Sequence, residues 1–450
     1  MRQQNMLQGT IWREILFFFF PILLGYLFQQ LYNTVDAMVV GNFVGTIALG
    51  AVGGSTSMII NLILGFVIGL STGATVIIAQ FIGAREQHKV QMTVSTTMLM
   101  NIVIGLVVMV IGLLFARNIL ELLSVPNEMM NDALTYLRIY MLGFIPSMIY
   151  NAGAGILRAI GDSKRPLYFL IAASITNIVL DLLLVAYIPL GVAGAAIATV
   201  FSQVVTALLT IYAFSDEDEI YYLNFKKMSF DFPLFMRIIA IGLPTAIQGS
   251  LYSFANLFIQ ASVNAFGTIS VAAFTAFGKI DMFFWNFSGS MGAATLTFIG
   301  QNFGAKQMDR VKKGVHQALF MFLLGSIFIS LLALTFGEQF YRLFTQDKEV
   351  LKVGLSILFL VAPFWNAVFL FEILSATLRA MNIIVVPMIV SLIGVGVVRI
   401  LWVLCYPMHS VLDTLKVYPL SWMSTSLFFA IYYFSGLWRK KKQRKELLNK

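Results

Sequence analysis

Charge is scarce in this chain. Only 11% of its 450 residues are Asp, Glu, Lys or Arg, against 59% hydrophobic and a mean hydropathy of +0.85. That balance excludes an ordinary soluble domain, which has no core large enough to hide so much apolar surface. Cysteine is nearly missing, and Cys405 alone rules out an intrachain disulfide. The three histidines, His88, His316 and His409, all fall in expected loops or at their edge, and no HExxH or Cys/His cluster exists, which removes transition-metal hydrolysis from consideration. Gly69-Leu-Ser-Thr-Gly73 fits the GxSxG of a hydrolase elbow. No strand precedes it and no histidine lies in an apolar run, so it reads as a coincidence of small residues. The chain is expected to be no enzyme and to need no organic cofactor.

What is present is a succession of apolar runs, each near the roughly 20 residues that cross a bilayer. Twelve read as spans, with limits near 14–40, 47–79, 92–116, 133–157, 166–187, 191–214, 236–263, 270–299, 314–336, 354–378, 385–405 and 418–438. The fold class expected is all-α: a polytopic membrane protein of twelve transmembrane helices in two parallel six-helix lobes. The N-terminal lobe is expected over 1–214, a solvated cytoplasmic linker over 215–235, the C-terminal lobe over 236–438 and a basic tail over 439–450. The first run is too long for a signal-peptide core and has no small-residue cleavage site, so it counts as a span.

The net charge of +9 is placed in alternate loops, not in a patch for nucleic acid. One side carries Arg2 and Arg13, Arg85 and Lys89, Arg158 with Lys164 and Arg165, Lys306 with Arg310, and the tail. The other carries only Arg117, Arg342, Lys348, Lys352 and Lys416. This asymmetry is the positive-inside pattern, and it predicts a multi-pass protein of the plasma membrane with both termini cytoplasmic. Its partners are expected to be a small-molecule substrate and the lipid bilayer, with no nucleic acid, and the chain is expected to work as a monomer.

The two halves repeat each other about 221 residues apart. Gln80-Phe-Ile-Gly-Ala-Arg85 returns as Gln301-Asn-Phe-Gly-Ala-Lys306, Leu157-Arg158-Ala159 as Leu378-Arg379-Ala380, and Pro21 is echoed by Pro244. Six spans per half is an even number, so both halves enter the membrane from one side, as in transporters that hold substrate between repeats. Gly65, Gly69 and Gly73 make two small-xxx-small steps suited to close helix packing.

Within the spans, acids are few and therefore informative, because a charge in lipid costs at least about 2.5 to 3.5 kcal/mol and marks an ion or substrate path by default. Asn177 and Asp181 lie four apart on one helix face. Asp181 precedes the turn at Pro189 by eight residues and Thr199 follows it by ten, which puts both roughly 10 Å below the outer surface. Asp36, five residues before Gly41, sits at a similar depth. Two carboxylates, an amide and a hydroxyl at one level suit a hard cation or a proton; a plain interhelical hydrogen-bond network is the alternative. Pro21 interrupts the first span, either as a conformational hinge or as a static kink. In the second half Asp281 and Glu372, with Tyr252, Met282 and Trp285, form a candidate substrate surface, and Lys279 and Arg399 are candidate countercharges.

Taken together, Pro21, the Val35-Asp36 stretch running to Gly41, the two Gly-Ala loops and the two Leu-Arg-Ala loops resemble the multidrug and toxic compound extrusion family of secondary transporters. The resemblance covers nearly the whole chain. It implies export of organic, often cationic, compounds by alternating access, driven by Na+ or H+. It further implies a cation site at Asp36, Asn177, Asp181 and Thr199, with Na+ as the metal if sodium is the coupling ion, and a first-helix bend at Pro21. Another branch of that family uses an acid on the seventh helix, which is absent here. The competing reading is a flippase for a lipid-linked or polysaccharide precursor, which would want a strongly basic central cavity.

Overall fold

In a computed structural model of the chain, residues 6–438 are described apart from Ser124 and Phe225. Arg2 and the basic tail therefore lie outside the described residues. The described chain is helical and without strands, and its long helices form twelve membrane-crossing rods. In order they are α1 (Ile11–Phe43), α2 (Thr46–Gly83), α3 (Gln87–Leu122), α4 (Asn127–Leu142 and Phe144–Ile160), α5 (Lys164–Tyr187), α6 (Gly191–Phe214), α7 (Phe232–Asn264), α8 (Gly267–Gly304), α9 (Met308–Thr335), α10 (Lys348–Ala380), α11 (Val385–Cys405) and α12 (Val417–Phe434). Among the described residues nine pass a strict apolar-length criterion, and the two pieces of α4 make a tenth. The remaining two are α8 and α12.

The sequence repeat is reproduced in backbone geometry. Arg85 and Lys306 both adopt left-handed φ, 60° and 59°. In both loops the two N–H groups that follow the helix fold back in the same way: Arg85 N to Ile82 O and Glu86 N to Phe81 O, then Lys306 N to Phe303 O and Gln307 N to Asn302 O. Gly161 (φ 105°) and Asn382 (φ 64°) likewise close α4 and α10 with matched bonds to Arg158 O and Leu157 O, and to Arg379 O and Leu378 O. These are Schellman-type stops, which satisfy carbonyls orphaned at a helix end. Asn at the second copy is the non-glycine best able to take that conformation.

Breaks are duplicated too. α4 bends by 52° at Gly143, and α10 switches to a 3-10 turn over Ala362–Ala367, with Pro363 at its start. At Gly143 a Cβ would stand 2.2 Å from Gln203 Oε1 and 3.0 Å from Val200 Cγ2, so glycine is what lets α6 come this close. α1 differs from expectation, because it runs as one helix through Pro21. α7 does the same through Pro244. Neighbouring helices can re-satisfy the carbonyl a proline frees, so the residue need not break the rod.

Contacts divide the chain into two compact units, one holding Phe20–Ala246 and the other Met6–Phe19 with Ile247 onward. The first turns of α1 thus belong with the second half, and the linker with the first. In the first unit the linker is docked, not merely solvated. Glu219 pairs with Arg165 at 3.0 Å, Arg165 also reaches the Tyr221 hydroxyl, Tyr221 and Leu223 are buried, and Ser229 exchanges bonds with Ser95 at 2.8 and 2.9 Å. The acidic run therefore has an arginine of α5 as its partner, which satisfies a half-buried carboxylate where free solvation would not.

Of the three glycines in the α2 motif, two work as expected. A Cβ on Gly69 would lie 2.4 Å from Ala246 Cα, and one on Gly73 would lie 2.2 Å from Ile238 O and 2.8 Å from Gly242 N. Gly242 meets Leu70 in the same way, so α2 and α7 cross backbone to backbone in the first unit. Gly65 faces open space.

Candidate cation and substrate site

Asp36, Asn177, Asp181 and Thr199 are all buried in the first unit, at 9%, 0%, 0% and 5% exposure. The helices explain the placement. Asn177 and Asp181 share a face of α5, and immediately after Asp181 the helix widens into a π turn over Leu182–Tyr187. Such turns cost hydrogen-bond geometry and are frequent at functional sites. Gly194 of α6 lies against this turn, where a Cβ would stand 2.8 Å from Leu184 O; this close approach positions Thr199, one and a half turns further on. The Asp36 charge acts on Asp181 through space.

The polar atoms here have no protein partner. Asp36 Oδ1, both amide atoms of Asn177 and both carboxylate oxygens of Asp181 are buried without one. Buried polar groups are nearly always satisfied, and a cluster of exceptions points to water or an ion. The Thr199 hydroxyl donates to Ala195 O at 3.0 Å and keeps its oxygen lone pairs for a further partner. Among the described residues no group of three or more His, Cys, Asp or Glu occurs. With two carboxylates and neutral oxygens, the donor set suits an alkali cation or a proton.

Sequence reasoning missed the tyrosines around this cluster. Tyr136 and Tyr140, four apart on α4 with rings 6.1 Å apart, pack beside it. Tyr136 lies close enough to Thr199 and Asp36 to interact with both, and Tyr32, one turn before Asp36 on α1, feels the same carboxylate. Their i, i+4 spacing was the available signal, but tyrosines in spans equally read as interfacial anchors. Pro21 is placed three turns or more below, lining a cavity of about 130 Å³ in the same unit.

The second-half candidates separate into two groups. Asp281 is clamped: Trp285 Nε1 donates to its Oδ2 and Trp365 Nε1 to its Oδ1, both at 2.8 Å. Trp365 is stacked on Phe284 at 5.1 Å and an interplanar angle of 5°. Both oxygens of this carboxylate are thus engaged by the protein itself, and Met282 is half-buried beside it. Of the two candidate countercharges, Arg399 is the one that acts on Asp281; it is buried, donates to Asn256 Oδ1 at 2.7 Å and Ser421 Oγ at 3.3 Å, and lies 4.5 Å over the Tyr418 ring. Lys279 is exposed. The other group is Glu372 and Tyr252. Glu372 rests on the α8 backbone, where a Cβ on Gly292 would come within 2.2 Å of its Oε1. Gln248 Nε2 reaches Tyr252 OH at 3.1 Å and Ser391 Oγ at 2.9 Å. Trp365→Phe keeps the ring stack and deletes one donor to Asp281. The expected result is a loss of about 1–3 kcal/mol, the cost of a buried acceptor left bare, seen as a lower midpoint in thermal unfolding of the detergent-solubilised protein.

With this geometry in view, two stretches of the chain, 21–183 and 244–405, each match the family model MatE. The chain belongs to the MatE family. The two matches coincide with the two repeats, so this MatE protein is built from two copies of one unit. It is 28% identical over 457 residues to the probable multidrug resistance protein YoeA of Bacillus subtilis, covering 98% of this chain and 96% of that one. With the multidrug export protein MepA of Staphylococcus aureus it shares 23% over 355 residues, 78% of this chain and 77% of the other. A solved multidrug resistance MATE family transporter in an outward-facing conformation superposes with a TM-score of 0.90 at 22% identity, covering 98% and 99% of the two chains. A MOP superfamily transporter from Pyrococcus furiosus, described as having a binding pocket of reverse polarity that suggests a different function, also reaches 0.90 at 22%, covering 97% and 99%. These likenesses establish the twelve-helix, two-lobe fold for this MatE chain.

Proposed function

We propose that this protein is a cation-coupled antiporter, exporting organic and mainly cationic compounds across the plasma membrane by alternating access, with Na+ or H+ as the coupling ion. The observation that carries the proposal is the set of five buried, partnerless polar atoms on Asp36, Asn177 and Asp181 beside the Thr199 hydroxyl. Two carboxylates in a low-dielectric site cannot both hold charge cheaply, so a small cation binds there and neutralises them. The names of YoeA and MepA as multidrug proteins support the choice of substrate class. Both termini face the cytoplasm, the working form is a monomer, and Pro21 lets α1 change shape as the ion binds.

Import of one charge across 100 mV supplies about 2.3 kcal/mol, enough for a gradient of about fifty-fold in a neutral solute at 1.4 kcal/mol per decade; a monovalent cation exchanged one for one draws only on the concentration gradient of the coupling ion. The test is efflux of a fluorescent organic cation from proteoliposomes with a Na+ gradient and a pH gradient imposed separately. Acceleration by one of them is expected; indifference to both removes the antiporter. The flippase reading wants several unpaired bases deep in the protein. Arg399, the buried arginine of the second unit, is already bonded to Asn256 and Ser421.

A further inference from the structure

One cavity of the first unit is lined on α1 from Pro21 to Tyr32, ending one turn short of Asp36. On α1 its lining residues Pro21, Gly25, Gln29 and Tyr32 are spaced by four, four and three residues, and Asp36 follows four later, so all five occupy one helix face. That stripe runs about 22 Å at 1.5 Å per residue. α6 descends antiparallel, with Ser202, Gln203 and Thr206 in the lining one to two turns beyond Thr199. On α5, Pro166, Leu170 and Ala173 line the cavity on the face that carries Asn177 and Asp181. The far end is marked by Arg158 and Ser163, in the loop region that the positive-inside pattern assigns to the cytoplasm.

The lining is polar in a way that helix packing does not require. Asn151 Nδ2 donates to Ser147 O at 2.8 Å, Gln203 and Tyr140 both line the space, and Gln203 Oε1 is buried without a protein partner. At roughly 30 Å³ of liquid volume per water, about 130 Å³ admits several. Tyr32 and Tyr140 line the cavity and stand one turn from Asp36 and from Tyr136 respectively, so they occupy the junction between cluster and cavity. Tyr136 in turn stacks on Tyr140 with ring centroids 6.1 Å apart.

We propose that this cavity is the hydrated passage by which the coupling cation moves between the Asp36–Asp181 cluster and the cytoplasm, with Tyr32, Tyr140 and Gln203 forming its inner neck and Arg158 standing at its mouth. The proposal rests on the cation-coupled reading above. A carboxamide oxygen and phenolic oxygens replace part of a hydration shell, which is how a passage lets an ion enter and also leave. A guanidinium at the mouth raises the cost of cation return from the cytoplasm, so the passage favours discharge when the cluster is loaded from outside. The glycine at 143 belongs to the same device, since only a residue without Cβ leaves room for the Gln203 amide.

The test joins transport to accessibility. In proteoliposomes under whichever gradient drives the wild type, Gln203→Leu is expected to lower efflux at least tenfold while equilibrium binding of the fluorescent cation stays within twofold, and Gln203→Asn is expected to recover most of the rate. Ala154→Leu, which fills the cavity from α4, is expected to act like Gln203→Leu. Separately, Ser147→Cys in a Cys405→Ser background, a near-isosteric change, is expected to react with a membrane-impermeant thiosulfonate at least tenfold faster from the cytoplasmic face of oriented vesicles than from the other. Wild-type efflux by Gln203→Leu, or no labelling of the residue-147 thiol from the cytoplasmic face, overturns the passage. Asp36→Asn is run beside them: if it still couples, the antiporter reading fails, whereas if it is uncoupled and Gln203→Leu is not, only the passage fails.

Discussion

Asp36→Asn is expected to abolish gradient-driven efflux while leaving a folded protein. The substitution keeps shape and one carbonyl oxygen but removes the charge that makes a cation bind in a site this dry. Asp181→Asn is expected to do the same, since its two oxygens are the most deeply buried of the set. The accumulation ratio reached under a saturating ion gradient should fall to unity in both variants. Thr199→Val deletes a neutral ligand only, and is expected to raise the ion concentration needed for half-maximal rate roughly tenfold, the effect of about 1.4 kcal/mol. Asp36→Asn that transports with undiminished coupling would defeat the assignment of this cluster. Because Asp36 and Asp181 are proposed to share one ion, their effects should not add; the double variant is expected to look like either single one.

A second large effect concerns folding. Gly73→Leu is expected to yield little or no folded protein, and Gly73→Ala a protein destabilised by at least about 1–3 kcal/mol, the usual cost of overpacking. The cause is local: the added carbon has backbone atoms of Ile238 and Gly242 in its path, and backbone cannot step aside as a flexible side chain can. Gly65→Ala supplies the contrast. It lies two turns away on the same helix with open space before it, and it should be neutral or slightly stabilising because alanine loses less backbone entropy than glycine. Thermal unfolding in detergent separates the three. Equal stability of Gly65→Ala and Gly73→Ala would mean that the α2–α7 crossing is not held by close approach.

Much of this was legible in the residues. Long apolar runs declare spans because lipid leaves the backbone no alternative to a helix, and the repeat places α8 and α12 even though neither passes the strict apolar criterion. Depth arithmetic from Pro189 and Gly41 rests on the constant rise of a helix and predicts one level for Asp36, Asn177, Asp181 and Thr199; the structure buries all four in the first unit. Other features had no such handle. The bend at Gly143 depends on Gln203, sixty residues away in sequence, and the π turn after Asp181 is a shift in hydrogen-bond register that leaves no fixed residue signature. The second indole on Asp281 comes from Trp365 across the unit, so the sequence could not show that each oxygen of this carboxylate already accepts from a tryptophan. Pro21 was read as an interruption because the sequence cannot say whether neighbours will satisfy the carbonyl it frees. The linker was read as solvated because its charges look like surface charges until Arg165 is placed beside Glu219.

The ordering of the first residues sets a clock on biogenesis. The carbonyl of Met6 accepts from Asn302 Nδ2 at 3.0 Å across 296 residues of chain, and Arg310 gathers the carbonyls of Met6, Gln8 and Gly9 at 2.8 to 3.3 Å. When the ribosome has delivered the first seven helices, the leading segment still has nothing to hold it. It settles only once α8 has left the translocon, so residues 6–9, made before any of the helices, are among the last parts to reach their place.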